Sequence, residues 1–452
     1  MHNDLFDIDN QLALIKSKNK KLLLKSAIHP DLIISTSPRY IILSLSSKCN
    51  LRCPHCAIHG ITENKSINKD MEFIKIYPLI EKNLPFIEEY SLTVTGEPLL
   101  IKNFEDIVIK LSKFGGKLNL MSNGTLINEK NIDIIIKYSS NIGISIDGAT
   151  PETLEILRKG ANYSLLIKNI KYLVDSINKI ENRRRPNVSI LFTVMGSNIN
   201  EMPEIIKLAY KLGIKFVLFH RVQLTNGQES IEGEAIEYHY ENFIKKLEES
   251  KEISKKLRIN LILPNFDNII PKKQVDPKIW EKMIIPKNLQ IIKNTIMESN
   301  DKINEFSHNN ENANPKIPDP QKLKFSIFER AKLIKLYLIE TAREYIAYVI
   351  KYKDYENIKT KFINGSKGGS DKYYFCESLY NRVYISNDGD VAPCCIFGRP
   401  VLGNIFNNEL YDIWNGEKYR KFKQQFHSQS PPDCCKNCVF RQQLEYSSLI
   451  SQ

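Results

Sequence analysis

Cys49, Cys53 and Cys56 fall within eight residues, Cys49-Asn-Leu-Arg-Cys53-Pro-His-Cys56, just after the apolar run that begins at Tyr40. Three thiolates on one short loop can hold three irons of a cubane and leave the fourth open to a ligand. Structural zinc takes four closed ligands, usually as two separated pairs, so a lone triplet suits it less well. A second group stands far along the chain: Cys376, Cys394, Cys435 and Cys438, with Cys395 and Cys434 each next to a member. Four thiolates from distant segments suit either a fully ligated cluster or a structural zinc, and spacing alone does not separate these. Asn387-Asp388-Gly389-Asp390 is a hairpin turn signal, so Cys376 and Cys394 are expected to flank a β-hairpin.

The elements that must position these thiols are legible between residues 38 and 222, where short β-branched runs alternate with longer amphipathic segments. That alternation predicts βα units on a parallel sheet. The expected strands are Tyr40 to Leu45, Tyr90 to Thr95, Lys117 to Met121, Ile142 to Ile146, Val188 to Val194 and Lys215 to His220. Six such strands predict an α/β fold, an incomplete (β/α)6 barrel. The unusual residues all follow strands: the cysteine loop, then Thr95-Gly96-Glu97-Pro98, Ser122-Asn123-Gly124-Thr125, Ser145-Ile146-Asp147-Gly148, and Thr193 to Asn200. Parallel α/β sheets build their sites at those carboxyl ends.

Composition bounds the rest. At 452 residues and 42% hydrophobic content the chain can bury a large core, so metal need not hold a miniature fold together. No signal-like opening or long apolar run is present, which predicts a cytoplasmic protein without a membrane span. In that compartment nine closely grouped cysteines imply metal rather than disulfides. The formal charge of +12 is spread over scattered lysines, with compact basic groups only at Lys16 to Lys25 and Arg183 to Arg185. No stacking aromatics interleave with them, so nucleic-acid binding is not expected.

Residues 1–37 hold one expected amphipathic helix, bearing Leu12, Leu14, Ile15 and Leu22 to Leu24, that would cap the barrel. After His220 the pattern turns to long helical stretches. A polar segment from Glu298 to Asp319 reads as a linker, and Phe325 to Val349 reads as a helix.

The cysteine triplet resembles the signature of the radical S-adenosylmethionine (SAM) superfamily. The resemblance implies a [4Fe-4S] cluster on Cys49, Cys53 and Cys56 whose open iron chelates SAM. It also implies reductive cleavage of SAM to a 5′-deoxyadenosyl radical, which takes a hydrogen atom from a substrate. Where the family usually has an aromatic or apolar residue before the third cysteine, this chain has His55, whose flat ring can pack by the adenine. Gly96 and Glu97 resemble the motif that receives the ammonium of SAM. Ser145 and Asp147 lie where the family contacts ribose and carboxylate, with Arg158 the expected forked partner of that carboxylate. Asn123 and Thr193 are further candidates on the same face.

The stretch from Cys376 to Cys438, with Leu402-Gly403-Asn404-Ile405 and Trp414-Asn415 inside it, resembles the SPASM/twitch extension that carries auxiliary [4Fe-4S] clusters. The crowded middle cysteine group of full SPASM domains is absent, so the match is to the one-cluster, twitch-like form. Cys376, Cys394, Cys435 and Cys438 are the expected ligands. Because adjacent cysteines cannot be ranked from sequence, Cys395 and Cys434 stay open as replacements. Cys395 is also a catalytic candidate, a thiol facing substrate that could return a hydrogen atom or accept a proton. The implied layout is a helical arm (1–37), a partial TIM-like barrel (38–225), a largely helical insertion (226–370) and a small α+β cluster domain (371–446). The implied activity is peptide or protein modification. Oxidation or epimerisation of an aminosugar or alcohol is the alternative, and a non-catalytic zinc or iron-sulfur module stands as another class. A flavodoxin- or ferredoxin-like protein would supply electrons.

Overall fold

A computed structural model describes residues 2–28, 34–59, 70–92, 95–180, 185–222, 229–263, 372–395, 399–428, 430–436, 438 and 442–445. The expected linker Glu298 to Asp319, the expected helix Phe325 to Val349, and Arg183 and Arg184 lie outside the described residues.

Strands β1 (Tyr40–Leu43), β2 (Glu89–Ser91), β3 (Lys117–Ser122), β4 (Ser139–Ser145), β5 (Asn187–Val194) and β6 (Phe216–Arg221) form a parallel sheet in chain order. Helices α1 (His2–Ile28), α2 (Phe73–Ile80), α3 (Phe104–Leu111), α4 (Ile132–Tyr138), α5 (Pro151–Leu157), α6 (Tyr163–Asn178) and α7 (Met202–Lys211) precede or connect them. The two-residue alternation sorts the side chains. On β5, Ile190, Phe192 and Val194 are buried in the main core, while Leu191 and Thr193 between them take the inner face. Register places Met121, Gly143 and Ser189 side by side on that face, with Ser145, Leu191 and Leu218, then Thr193 and His220, above them.

Two features depart from a six-stranded barrel followed by separate units. Residues expected to open the insertion instead form α8 (Tyr240–Leu257) and a short strand β7 (Asn260–Ile262), which pairs parallel with β6. At the other edge stand β9 (Arg382–Ile385), β10 (Asp390–Ala392) and β11 (Gly403–Asn404). They follow β8 (Lys372–Phe375) and α9 (Glu377–Asn381), and β9 pairs parallel with β1. The hairpin of the cysteine-rich C-terminal unit therefore continues the barrel sheet. Gly389, at a φ of 82°, makes its turn. Among the described residues the order is β11-β10-β9-β1-β2-β3-β4-β5-β6-β7, an open sheet with two edges. The inner face is correspondingly open, with Met121 44% exposed and Ile262 45%.

Helix α1 lies across the side from which the strands start. Lys16 Nζ donates to the Phe114 carbonyl at 3.0 Å, and the Asn19 amide exchanges hydrogen bonds with the Ser37 backbone at 2.9 and 3.0 Å. The C-terminal unit continues with α10 (Leu410–Trp414), α11 (Glu417–His427), α12 (Asp433–Lys436) and β12 (Gln442–Glu445), the last pairing with β8. It grips the segment leading into β1: Trp414 Nε1 donates to Thr36 Oγ1 at 3.0 Å, and the Asn415 amide brackets the Thr36 backbone at 2.9 and 3.0 Å. No described helix is long and apolar enough to cross a membrane.

Candidate functional site

The loop after β1 buries Cys53 and leaves Cys49 and Cys56 half-buried. Its backbone is pinned by Cys56 N–H to Cys53 O at 3.0 Å and by Arg52 N–H to Lys159 O at 2.8 Å, which ties it to the end of α5. Two sulfurs already accept backbone donors: Leu51 N–H reaches Cys49 Sγ and His59 N–H reaches Cys56 Sγ, both at 3.4 Å. Burial pushes the Cys53 thiol up to about 12, against the pull of Arg158, and raises Cys49 as well. A metal that binds here must displace those protons, and the loop's donors suit the resulting sulfur charge.

Gly96 backs this loop at close quarters. A Cβ there would lie 2.6 Å from Lys48 O and 2.7 Å from Ser46 O, so only glycine lets the two loops touch. Glu97 N–H donates to Lys48 O at 2.8 Å. The Glu97 carboxylate turns inward: Oε1 accepts from the Ser122 hydroxyl at 2.8 Å and Leu99 N–H at 3.2 Å, and Oε2 accepts from Asn123 N–H at 2.8 Å. Burial raises its pKa, and these donors oppose the rise. Glu97 thus joins the ends of β2 and β3 rather than standing open to a ligand. Asn123 extends the tie, since Nδ2 donates to Asn50 Oδ1 at 2.9 Å and comes within 3.9 Å of Cys49 Sγ.

Asp147, fully buried past the end of β4, organises the opposite wall. Its Oδ2 receives Arg158 Nε at 2.6 Å and lies 3.2 Å from His55 Nε2, while Oδ1 accepts from Thr193 N–H at 2.7 Å. Burial alone would raise the Asp147 pKa, but Arg158 and His55 hold it well below the usual carboxylate range. Arg158 is pushed the other way, with burial outweighed by Asp147 and by the neighbouring Cys53 and Cys56. Only Nε of the guanidinium is engaged; its terminal nitrogens make no hydrogen bond among the described residues. A forked cation beside the triplet therefore keeps two donor-bearing nitrogens for a carboxylate.

Ser145 lies half-buried at the end of β4, its hydroxyl making no hydrogen bond among the described residues. Thr193 contributes its backbone rather than its side chain.

Sequence reasoning missed three participants. His55, read as a packing ring, is a hydrogen-bond partner of Asp147. Asn198 is buried and ties Asp147 O to Thr193 O with one amide, at 3.0 and 2.8 Å. His220, beside Thr193 on the inner face, has its pKa lowered by burial, with Asp147 opposing. Its place at the end of β6 was the available signal.

The second thiol group assembles around the hairpin. Cys376 stands at the N-terminus of α9 and Cys394 follows β10, while Cys435 and Cys438 arrive with α12. Burial raises Cys376, with Cys438 adding to the rise; it raises Cys435 too, with Cys434, Cys376 and Cys394 adding. The adjacent cysteines part at the hairpin: Cys395 packs with Ile42, Tyr384 and Ala392 of the inner barrel face. Cys434 stays beside Cys435, with its Sγ 3.8 Å from Cys435 Sγ. Among the described residues no three cysteine, histidine or carboxylate side chains are yet grouped tightly enough to hold a metal ion; by donor chemistry, a thiol triplet with backbone N–H donors to sulfur and a second set of thiols around the hairpin are of the type that iron-sulfur groups use.

The family model described as the radical SAM superfamily matches residues 43–209, and that of the iron-sulfur cluster-binding SPASM domain matches residues 376–439. The chain carries a radical SAM domain and, after it, a SPASM domain. A tungsten-containing aldehyde ferredoxin oxidoreductase cofactor-modifying protein of Pyrococcus furiosus is 24% identical over 40% of this chain and 50% of its own. A cysteine-type anaerobic sulfatase-maturating enzyme of Clostridium novyi is 27% identical over 40% of this chain and 50% of its own. The chain spans about half to three-fifths of the length of the curated relatives it matches. Among solved structures, Streptococcus suis SuiB bound to S-adenosylmethionine superposes with a TM-score of 0.53 at 14% identity, covering 96% of this chain and 78% of that one. That likeness concerns the fold. Members of this superfamily carry a SAM-binding [4Fe-4S] cluster, and the SPASM domain carries auxiliary iron-sulfur clusters.

Proposed function

We propose that the chain cleaves SAM reductively at the Cys49, Cys53 and Cys56 site and modifies a peptide or protein. When bound, the cluster and SAM supply a 5′-deoxyadenosyl radical that takes a hydrogen atom from the substrate. The protein's own part is to hold and orient. Arg158, fixed through Nε by Asp147, offers its terminal nitrogens to the carboxylate of SAM. Ser145 offers a hydroxyl to ribose, while Gly96, Glu97 and Asn123 keep the loop after β1 in shape. His220 and Thr193 line the inner face beyond them.

The observation that carries this reading is the Arg158 guanidinium: half-buried, neutralised on one side and open on the other, beside Cys53 and Cys56.

A peptide or protein substrate is favoured by the open, half-exposed inner face and by similarity to an enzyme named for maturing a sulfatase. Cys376, Cys394, Cys435 and Cys438 would hold one auxiliary cluster, and Cys395 would meet the substrate. The test is anaerobic reconstitution with iron and sulfide, then dithionite and SAM, measuring 5′-deoxyadenosine. About eight irons per chain and product formation are expected, with product strongly reduced in Arg158→Lys through a raised KM for SAM. Bound zinc without product would sink the reading. Stimulation of 5′-deoxyadenosine release by a peptide, but not by aminosugars, would support the substrate class.

A further inference from the structure

Below the groups assigned to SAM, the inner face of the sheet carries an apolar zone. Met121 on β3 and Leu191 on β5 lean together over Gly143 of β4: a Cβ on Gly143 would lie 2.8 Å from Met121 Sδ and 2.8 Å from Leu191 Cδ1. Register sets Leu218 beside Leu191, and Ile262 of β7 beside Leu218. The residues that alternate with them, Ile190, Phe192, Val217 and Phe219, are buried in the main core behind the sheet, so Leu191 and Leu218 face away from it. Leu191 and Leu218 are half-buried, while Met121 and Ile262 keep 44% and 45% of their surface exposed. A concave apolar patch that the fold leaves open is where a ligand buries its own apolar surface.

The zone is continuous with the candidate site. Thr193 and His220 stand one inward position higher on β5 and β6; Thr193 N–H donates to Asp147 Oδ1 at 2.7 Å, and Asp147 holds Arg158. A substrate that approaches SAM from inside the sheet therefore rests on these four side chains. Its charge is constrained by the same register. From the level of Met121 up to His220, no inward position of β3 to β7 is Asp, Glu, Lys or Arg. His220 adds no charge near pH 7, because burial lowers its pKa and only Asp147 opposes the shift. An ammonium or carboxylate brought to this level would lose water and gain no ionic partner.

We propose that Met121, Leu191, Leu218 and Ile262 form the subsite for an uncharged aliphatic or aromatic side chain of the substrate peptide. The proposal rests on the reading of the chain as a SAM enzyme that modifies a peptide or protein. It narrows the residue presented to the radical to one such as leucine, valine or phenylalanine, and disfavours lysine, aspartate or an aminosugar.

The experiment measures binding to full-length protein, anaerobically reconstituted with iron and sulfide but given no reductant, by saturation-transfer nuclear magnetic resonance. The probes are N-acetyl-leucinamide, N-acetyl-phenylalaninamide, N-acetyl-lysinamide and glucosamine. The first two should bind, and the second two should bind about tenfold more weakly or worse. Ile262→Glu should weaken the leucine probe about tenfold and strengthen the lysine probe, and Met121→Glu should do the same. Both positions are exposed, so neither charge has to be buried in the core; should one variant melt early, the other decides. Equal binding of all four probes, no binding of either apolar probe, or apolar binding unmoved by the variants overturns the proposal. Displacement of the leucine probe by SAM would place it in the SAM site and overturns it equally. The readout is binding without turnover, so it is separate from the SAM reading: a parent that binds the apolar probes yet forms no 5′-deoxyadenosine under dithionite would sink that reading and leave the subsite standing.

Discussion

The two thiol sites are walled differently. Around Cys49, Cys53 and Cys56 the supporting groups are polar and charged: Glu97 shared between two strand ends, Asp147 fixing Arg158 and His55, and an arginine edge left open. Around Cys376, Cys394, Cys435 and Cys438 the groups at hand are fewer: Arg382 acts on Cys376, the buried Tyr419 stands near Cys394, and otherwise the thiols face one another. The first arrangement suits a small zwitterion that binds, reacts and leaves, since a forked donor confers recognition. The second suits a permanently ligated group.

The sharpest break between the two sites comes from removing one ligand from each. Cys53→Ala should abolish 5′-deoxyadenosine formation and remove about half the iron, while Cys435→Ala should remove the other half yet leave SAM binding intact. Iron analysis and equilibrium binding of SAM check both. Loss of SAM binding in Cys435→Ala would mean that the two sites are not independent.

Next in size is the charged wall. Asp147→Ala leaves Arg158 buried without its partner and should cost about 3–5 kcal/mol, read as a lower denaturation midpoint. Asp147→Asn tests the charge alone through pH. Because the folded pKa lies below the unfolded one, the carboxylate's contribution is present above the unfolded value of about 4 and is lost as pH falls below it toward the folded value. Wild-type stability should therefore decline on acidification through that window more steeply than that of Asp147→Asn. Parallel declines would remove Asp147 from the account.

A smaller loss follows from Gly96→Ala, whose new methyl would press on backbone carbonyls that cannot swing aside. Overpacking of this kind costs about 1–3 kcal/mol. Its mark would be weakened loading of the triplet, with the auxiliary cluster unaffected.

How far the sequence revealed these walls follows from the range of each signal. Strand ends were legible because two-residue alternation stops where glycine, serine and asparagine begin. The triplet was legible because its ligands are local. Asp147 and Arg158 were visible as candidates, but their pairing was not, since eleven positions across a strand-to-helix turn have no fixed geometry. Strand β7 escaped because three residues carry no period.

The smallest expected effects separate the adjacent cysteines, and they test the boundary between the two sites. Cys395 packs on Ile42 and Tyr384, at the inner face where β9 joins β1, whereas Cys434 lies beside Cys435. If that partition holds, neither Cys395→Ala nor Cys434→Ala lowers the iron content, because neither thiol is a ligand. Turnover should then distinguish them. Cys434→Ala should match the wild type, while Cys395→Ala should form less modified product per 5′-deoxyadenosine released if, as proposed, its thiol meets the substrate. Iron lost from Cys395→Ala would instead place the ligand at Cys395 and turn Cys394 toward Tyr419. The auxiliary group would then sit closer to the inner face, in contact with substrate rather than behind it.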